Sequence, residues 1–232
     1  MLGWRRWAGG VVNAVLPQQC FACAAGCGGE VLCDDCRAEL PGRQRARCPV
    51  CAIEQPLGLV CGACLSVPPP FEASRAVLDY AFPVDRMVQA FKYGHRLALS
   101  RLFVELMAAE PRPQADLVVP MPLHPGRLRS RGFNQAAELA RPLALAWGIP
   151  LRLDGIVRDV DTHPQAELPW KARAGNVRGA FRVRGSVEGL RVVVVDDVMT
   201  TGETLAELAR TLKAVGAASV ENRIVARTPA PG

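Results

Sequence analysis

No cysteine follows Cys64 in this chain of 232 residues, although that cysteine is the ninth. The absence excludes a thiolate metal site or a thiol nucleophile from the rest of the chain, and the change in composition marks a boundary. Aromatic residues make up 6% of the sequence, which leaves little surface for stacking nucleic-acid bases. Histidine occurs three times. Neither His124 nor His163 has a serine or cysteine arranged beside it for nucleophilic catalysis, and a loop histidine next to proline is at least as often a structural hydrogen-bonder. No Gly-x-x-x-x-Gly-Lys sequence occurs, so a P-loop nucleotide site is excluded. No apolar run is long enough to cross a bilayer. The run over residues 7–16 is interrupted by Asn13 and is followed by no small-x-small cleavage site, so a secretory signal is rejected. Residues 1–17 read instead as an amphipathic helix packing on the cysteine region. The expected compartment is the cytoplasm, where thiols stay reduced.

Eight of the nine cysteines form four Cys-x-x-Cys pairs: Cys20 with Cys23, Cys33 with Cys36, Cys48 with Cys51, and Cys61 with Cys64. Two intervening residues let both sulfurs of a tight knuckle reach one ion, and two knuckles complete a tetrahedral site. Four pairs therefore predict two zinc ions. Gaps of nine, eleven and nine residues between pairs favour consecutive pairing into two ribbons over residues 18–67; a cross-braced pairing stays open. Full thiolate ligation leaves no open position, so the zinc is structural. Disulfides do not suit a reducing compartment, and iron–sulfur spacings match less well. The ribbons either scaffold the fold or grip DNA or a partner. With each zinc and its four thiolates counted as roughly −2, the +1 carried by residues 1–70 becomes negative, which argues against a main nucleic-acid surface. Cys27 is left over. Pro68, Pro69 and Pro70 form a stiff linker to a second domain, residues 68–232.

Half of the residues are hydrophobic, enough for a sizeable core. The net charge of +6 is uneven: residues 111–158 carry +4, from Arg112, Arg127, Arg129, Arg131, Arg141, Arg152 and Arg158 against three acids. Guanidinium groups match phosphate oxygens in pairs, so this excess suits a polyphosphate or a nucleic-acid backbone.

From Phe71 onward, strands and helices alternate. Strands are predicted over 76–82, 116–120, 181–184, 191–195 and 219–226, with 149–157 extended; helices are predicted over 84–91, 97–108, 134–147 and after Gly202, the last with Leu205, Leu208, Leu212 and Val215 on one face. The order implies an α/β domain with a largely parallel sheet, whose binding loops lie at the carboxyl ends of its strands. Residues 192–204 carry the strongest local signal. Four valines make a strand buried on both faces, Asp196 and Asp197 sit where it is expected to end, and a Thr-Thr-Gly turn opens a helix. The N–H groups of Thr200, Thr201, Gly202 and Thr204 can hold one phosphate. The two carboxylates can accept hydrogen bonds from a sugar diol. Asp, Thr and Gly also favour turns for local reasons, but their fixed register with the valine run points to a phosphosugar.

Two further loops stand out. Residues 121–135 form a proline-rigid turn with three arginines, a glycine and Asn134 placed to cap the next helix, features of an anion site. The polar excursion over residues 158–181 could act as a lid.

Together these motifs resemble the ComF family of competence-associated phosphoribosyltransferase-like proteins. The motifs are Pro-x-Pro-Leu-His-x-x-Arg, Arg-Gly-Phe-Asn-Gln, Arg-x-x-x-Thr-x-x-Gln-x-x-Leu, Arg-x-x-Asn-Val-x-x-Ala-Phe and Asp-Asp-Val-x-Thr-Thr-Gly. The likeness takes in the cysteine module and Phe91-Lys92-Tyr93. It implies a type I phosphoribosyltransferase-like parallel sheet with helices on both faces, preceded by a small zinc-ribbon module with four cysteines to each ion. It implies that Asp196 and Asp197 bind the ribose hydroxyls of phosphoribosyl pyrophosphate (PRPP), accompanied by Mg²⁺, and that Thr200, Thr201, Gly202 and Thr204 bind its 5′-phosphate. Pro122, Leu123, His124, Arg127, Arg131, Asn134 and Gln135 fall in the pyrophosphate loop. Thr162, Gln165, Arg173 and Asn176 fall in a hood. Glu203, where many relatives have a small residue, departs from the pattern. By the same resemblance the chain is a phosphoribosyltransferase, catalytic through Asp196 and Asp197, in nucleotide metabolism or DNA uptake. The rival reading is a non-catalytic adaptor that binds single-stranded DNA or DNA-uptake proteins through Arg127, Arg129 and Arg131.

Overall fold

A computed structural model describes residues 19–43, 45–94, 96–159 and 178–229. The expected amino-terminal helix lies outside them. Four parallel strands form the main sheet in the order β1 (Ala73–Asp79), β6 (Ser219–Arg227), β5 (Arg191–Met199) and β2 (Leu117–Pro120). A separate antiparallel pair joins β3 (Ile156–Arg158) to β4 (Phe181–Val183).

Alternation along β5 sends its valines to two cores. Val193 and Val195 join Val118, Leu78 and Val225 beneath three helices: α3 (Val84–Tyr93), α4 (Ala98–Ala108) and α6 (Gln135–Trp147). Val192 and Val194 join Leu117, Val119 and Ile224 beneath α7 (Glu203–Ala214). Helices therefore cover both faces, as α/β architecture requires. Burial follows a helical period in α3, where Val84, Met87, Val88 and Phe91 face inward. In α7, Leu205, Leu208 and Leu212 are buried, whereas Val215 caps the helix and is 43% exposed.

Three elements differ from expectation. β1 begins three residues earlier and ends at Asp79, because the chain turns at Tyr80 and leaves Phe82 68% exposed, an apolar residue that does not belong to the core. β5 runs on to Met199, so Asp196 and Asp197 lie within the strand, paired against β6, and not beyond its end. Residues 125–131 are not an open turn but a short helix, α5 (Pro125–Arg131), with Pro125 at its first position and Gly132 left-handed at its end.

The cysteines pair consecutively. Cys20, Cys23, Cys33 and Cys36 form one group and Cys48, Cys51, Cys61 and Cys64 the other, each with all sulfurs within 4.8 Å of one another. The helices α1 (Asp34–Ala38) and α2 (Gly62–Ser66) each start at a ligand cysteine. The ribbons pack on different sides of the α/β core. Cys20, Leu32 and Leu40 join the core under α4, where Arg37 pairs with Glu105 at 2.9 Å, and the Arg96 guanidinium stacks 5.5 Å from the Phe21 ring. Ala52, fully buried, joins the opposite core, while the Ser74 N–H donates to the Pro49 carbonyl (3.0 Å) and Arg47 pairs with Asp79 (2.7 Å).

Candidate functional site

The site forms where β5 and β2 end. Register places Pro120 opposite Val195, and the Met121 N–H donates to the Val195 carbonyl (2.8 Å), so the loop after β2 starts beside the two acids. His124 caps α5, its Nδ1 accepting from the Gly126 N–H at 3.2 Å. Asn134 fixes two elements at once: its amide donates to the Met121 carbonyl (3.1 Å), and its oxygen accepts from the Ala136 N–H (3.0 Å), capping α6. Gln135, buried at the first turn of α6, leaves its Oε1 without a partner among the described residues. Pro122 is buried; Leu123, Arg127 and Arg131 are half-buried; Arg129 is exposed.

The two acids have unlike surroundings. Asp197 is 3% exposed, and its carboxylate lies 3.0 Å from the Lys92 ammonium at the end of α3. Burial works against the Lys92 charge, but Asp197 and then Asp196 outweigh it and hold the ammonium above its ordinary value. Asp196 is half-buried by surface area, and its Oδ1 accepts from the Asp197 N–H (2.9 Å). Burial and the neighbouring Asp197 charge push its carboxyl up to about 7, with Lys92 and Arg158 pulling the other way. Tyr93, next along α3, lies 4.8 Å beneath the Arg131 guanidinium and accepts a hydrogen bond from it (2.9 Å). Lys92 and Tyr93 thus form a wall between the acids and α5. Sequence reasoning assigned them no role. The available signal was a lysine, one of three in an arginine-rich chain, at the polar end of an amphipathic helix.

After β5, Thr200 and Thr201 lead to Gly202, whose φ of +88° caps α7 and which favours glycine for that reason. The Thr201 hydroxyl accepts from the Glu203 N–H (3.3 Å), an ordinary turn that leaves the Glu203 departure harmless to the backbone. Thr204 sits in the first turn of the twelve-residue α7. The structure therefore brings together Asp196, Asp197, the Thr200–Thr204 turn and the loop carrying residues 121–135. Thr162, Gln165, Arg173, Asn176 and His163 lie outside the described residues.

Both cysteine clusters fit zinc. Tetrahedral zinc with bonds of about 2.3 Å sets sulfurs roughly 3.8 Å apart. The Cys23 and Cys33 sulfurs are 3.8 Å apart, and those of Cys51 and Cys61 are 3.6 Å apart. Burial opposes ionisation of Cys20, but N–H groups of Cys23, Cys33 and Ala22 outweigh it and bring the thiol down to about 6, while the neighbouring sulfurs of Cys33 and Cys23 push Cys36 up.

Comparison with known proteins agrees with this geometry. Residues 128–231 match the phosphoribosyl transferase domain and residues 11–65 the double zinc ribbon domain. The chain is 39% identical to DNA utilization protein YhgH of Salmonella typhi, across 80% of this chain and 86% of that protein. It is 30% identical to Competence protein F of Haemophilus influenzae, across 82% of this chain and 87% of that protein. The chain belongs to the ComF family. Among solved structures, the glutamine PRPP amidotransferase of B. subtilis, complexed with ADP and GMP, aligns with 54% of this ComF-family chain and 25% of its own length, at 27% identity and a TM-score of 0.38. In this chain two four-cysteine clusters that fit zinc precede a phosphoribosyltransferase-type parallel sheet. Among the described residues, no helix is long and apolar enough to cross a membrane.

Proposed function

We propose that this ComF-family protein binds PRPP with Mg²⁺ at the end of β5 and acts as a phosphoribosyltransferase. The observation that carries the reading is the acidic pair of β5 running straight into the Gly202-capped turn of α7, beside the loop after β2. Asp196 and Asp197 accept from the ribose hydroxyls, and the N–H groups of Thr200, Thr201, Gly202 and Thr204 receive the 5′-phosphate. The pyrophosphate lies along residues 122–135, with Arg131 held toward it by Tyr93. When bound with the pyrophosphate, Mg²⁺ would supply the positive charge that neutralises the leaving group. As the bond from the anomeric carbon to pyrophosphate breaks and one to an acceptor nucleophile forms, with pyrophosphate carrying away the electron pair, the Asp196 and Asp197 carboxylates hold the ring while positive charge grows there. The names of its relatives favour a role in DNA uptake or DNA utilization. A second reading, an adaptor for DNA, draws on the exposed Arg129 of α5.

Thermal unfolding tests the reading, because only a ligand of the native state raises the melting temperature. PRPP with Mg²⁺ is expected to raise it in a saturable way. No shift at millimolar ligand would leave the adaptor reading in its place.

A further inference from the structure

Arg227 ends β6 and is 5% exposed. Its Nε donates to the carbonyl of Cys51, a ligand of the second cysteine cluster, at 2.9 Å. Its Nη1 donates to the carbonyls of Met199 (3.1 Å) and Thr200, the two residues that lead from β5 into the phosphate turn. One guanidinium thus spans a cysteine knuckle and the turn. The next residue adds to the link: the Thr228 N–H donates to the Met199 carbonyl (3.1 Å), and the Thr228 hydroxyl to that of Thr200 (3.3 Å).

The peptide plane gives this link a direction. In a trans peptide the carbonyl and the following N–H point opposite ways. Fixing the Met199 and Thr200 carbonyls toward Arg227 turns the N–H groups of Thr200 and Thr201 to the other side, where the phosphate is received. Arg227 also needs a counter-charge. Among the described residues it pairs with no carboxylate, and its guanidinium lies against the knuckle of the second cluster through the Cys51 carbonyl. A zinc ion with four thiolates carries roughly −2, which supplies that charge. Apolar contact runs the same way, since Ala52 of the knuckle, Met199 and Phe71 share one core. Among the described residues, no hydrogen bond joins the first cluster to the turn, and its ribbon meets α4 through Arg37 and Glu105.

We propose that Arg227 is a positioning residue that ties the second zinc ribbon to the phosphate turn, so that metal at Cys48, Cys51, Cys61 and Cys64 sets the turn's conformation and with it the affinity for a phosphorylated sugar. The affinity half of the proposal rests on the phosphosugar reading above. The conformational half does not. Amide exchange of Glu203 and Thr228, whose N–H groups bond to the Thr201 hydroxyl and the Met199 carbonyl, reads it in the full chain without any ligand. Cys61→Ser and Cys23→Ser should each lose about one zinc, and only Cys61→Ser should speed exchange in the turn, by about tenfold if one or two hydrogen bonds are lost. Arg227→Met should do the same with both ions retained. Arg227→Lys, which keeps the charge but not the fork, should restore part of the protection. Unchanged exchange in Arg227→Met overturns the proposal even if Cys61→Ser does not fold; equal effects of Cys23→Ser and Cys61→Ser overturn it as well. Calorimetry with ribose 5-phosphate then separates the two readings. Wild-type binding that weakens in Arg227→Met and not in Cys23→Ser supports both. Faster exchange with no wild-type binding keeps the link and removes the phosphosugar reading.

Discussion

Asp196 and Asp197 are adjacent in one strand, yet they should titrate and fail differently. Asp197 is spent in part on Lys92, so its carboxylate has a structural duty that its position at a motif does not reveal. Lys92→Met leaves that buried acid without its cation and should destabilise the protein by on the order of 3 kcal/mol, read by chemical denaturation. Restoring stability with Asp197→Asn in the same chain would identify the pair as the cause; additive losses would contradict it. Asp196 is raised from 3.8 to about 7, so the folded state binds its proton more tightly than the unfolded chain. Its contribution to stability is therefore full below the ordinary carboxylate value and is lost as pH rises through about 7. Ligand affinity should move the opposite way, because only the ionised acid accepts from both hydroxyls of a diol. Calorimetry against pH should show affinity rising toward 7 in the wild type, and Asp196→Asn should lose the carboxylate's share of that rise. The acids and Gly202 were legible in the sequence because residues close along the chain make a local pattern. Lys92 was not, since a contact between residues 92 and 197 leaves no periodicity to read.

At the scale of elements, the four cysteine knuckles make the clearest prediction. Cys33→Ser should lower zinc content from two per chain to about one, measured by elemental analysis, and loosen the ribbon that packs on α4. Zinc near zero in freshly purified, reduced wild-type protein would contradict the pairing. The ribbons were legible because ligand spacing is local. Which core each would join was not, because Ala52 and Leu40 look alike as isolated apolar residues. The valine run was also legible, but not its length: β5 continues through Asp196 and Asp197 because pairing with β6 continues to Met199, a tertiary fact that outweighs the polar residues. Helix α5 was hidden by its glycine and arginines. Pro125 at its start and left-handed Gly132 past its end are nonetheless the punctuation that a short helix shows.

In the whole molecule, two zinc ribbons bracket an α/β core whose site opens at the strand ends, with the basic helix α5 at its margin. Arg129 points outward there while Arg131 stacks on Tyr93, so the two arginines should separate by function. Arg129→Ala should leave PRPP affinity unchanged. If α5 grips a DNA backbone, the same substitution should lower the slope of log affinity against log salt by roughly one. An unchanged slope would assign the arginines of α5 to the small anion alone. Strand order and charge set the expectation of a site at the ends of β5 and β2; the wall of Lys92 and Tyr93 beside it came only with the fold. Titration of PRPP and Mg²⁺ into wild-type protein and the Asp196→Asn, Asp197→Asn double variant bears most closely on the proposed activity. Each lost charge-assisted hydrogen bond is worth about 1.5–3 kcal/mol, so saturable wild-type binding should weaken at least tenfold in a double variant that keeps its zinc. No saturable binding by the wild type at millimolar PRPP, or equal binding by both proteins, would contradict the phosphosugar site.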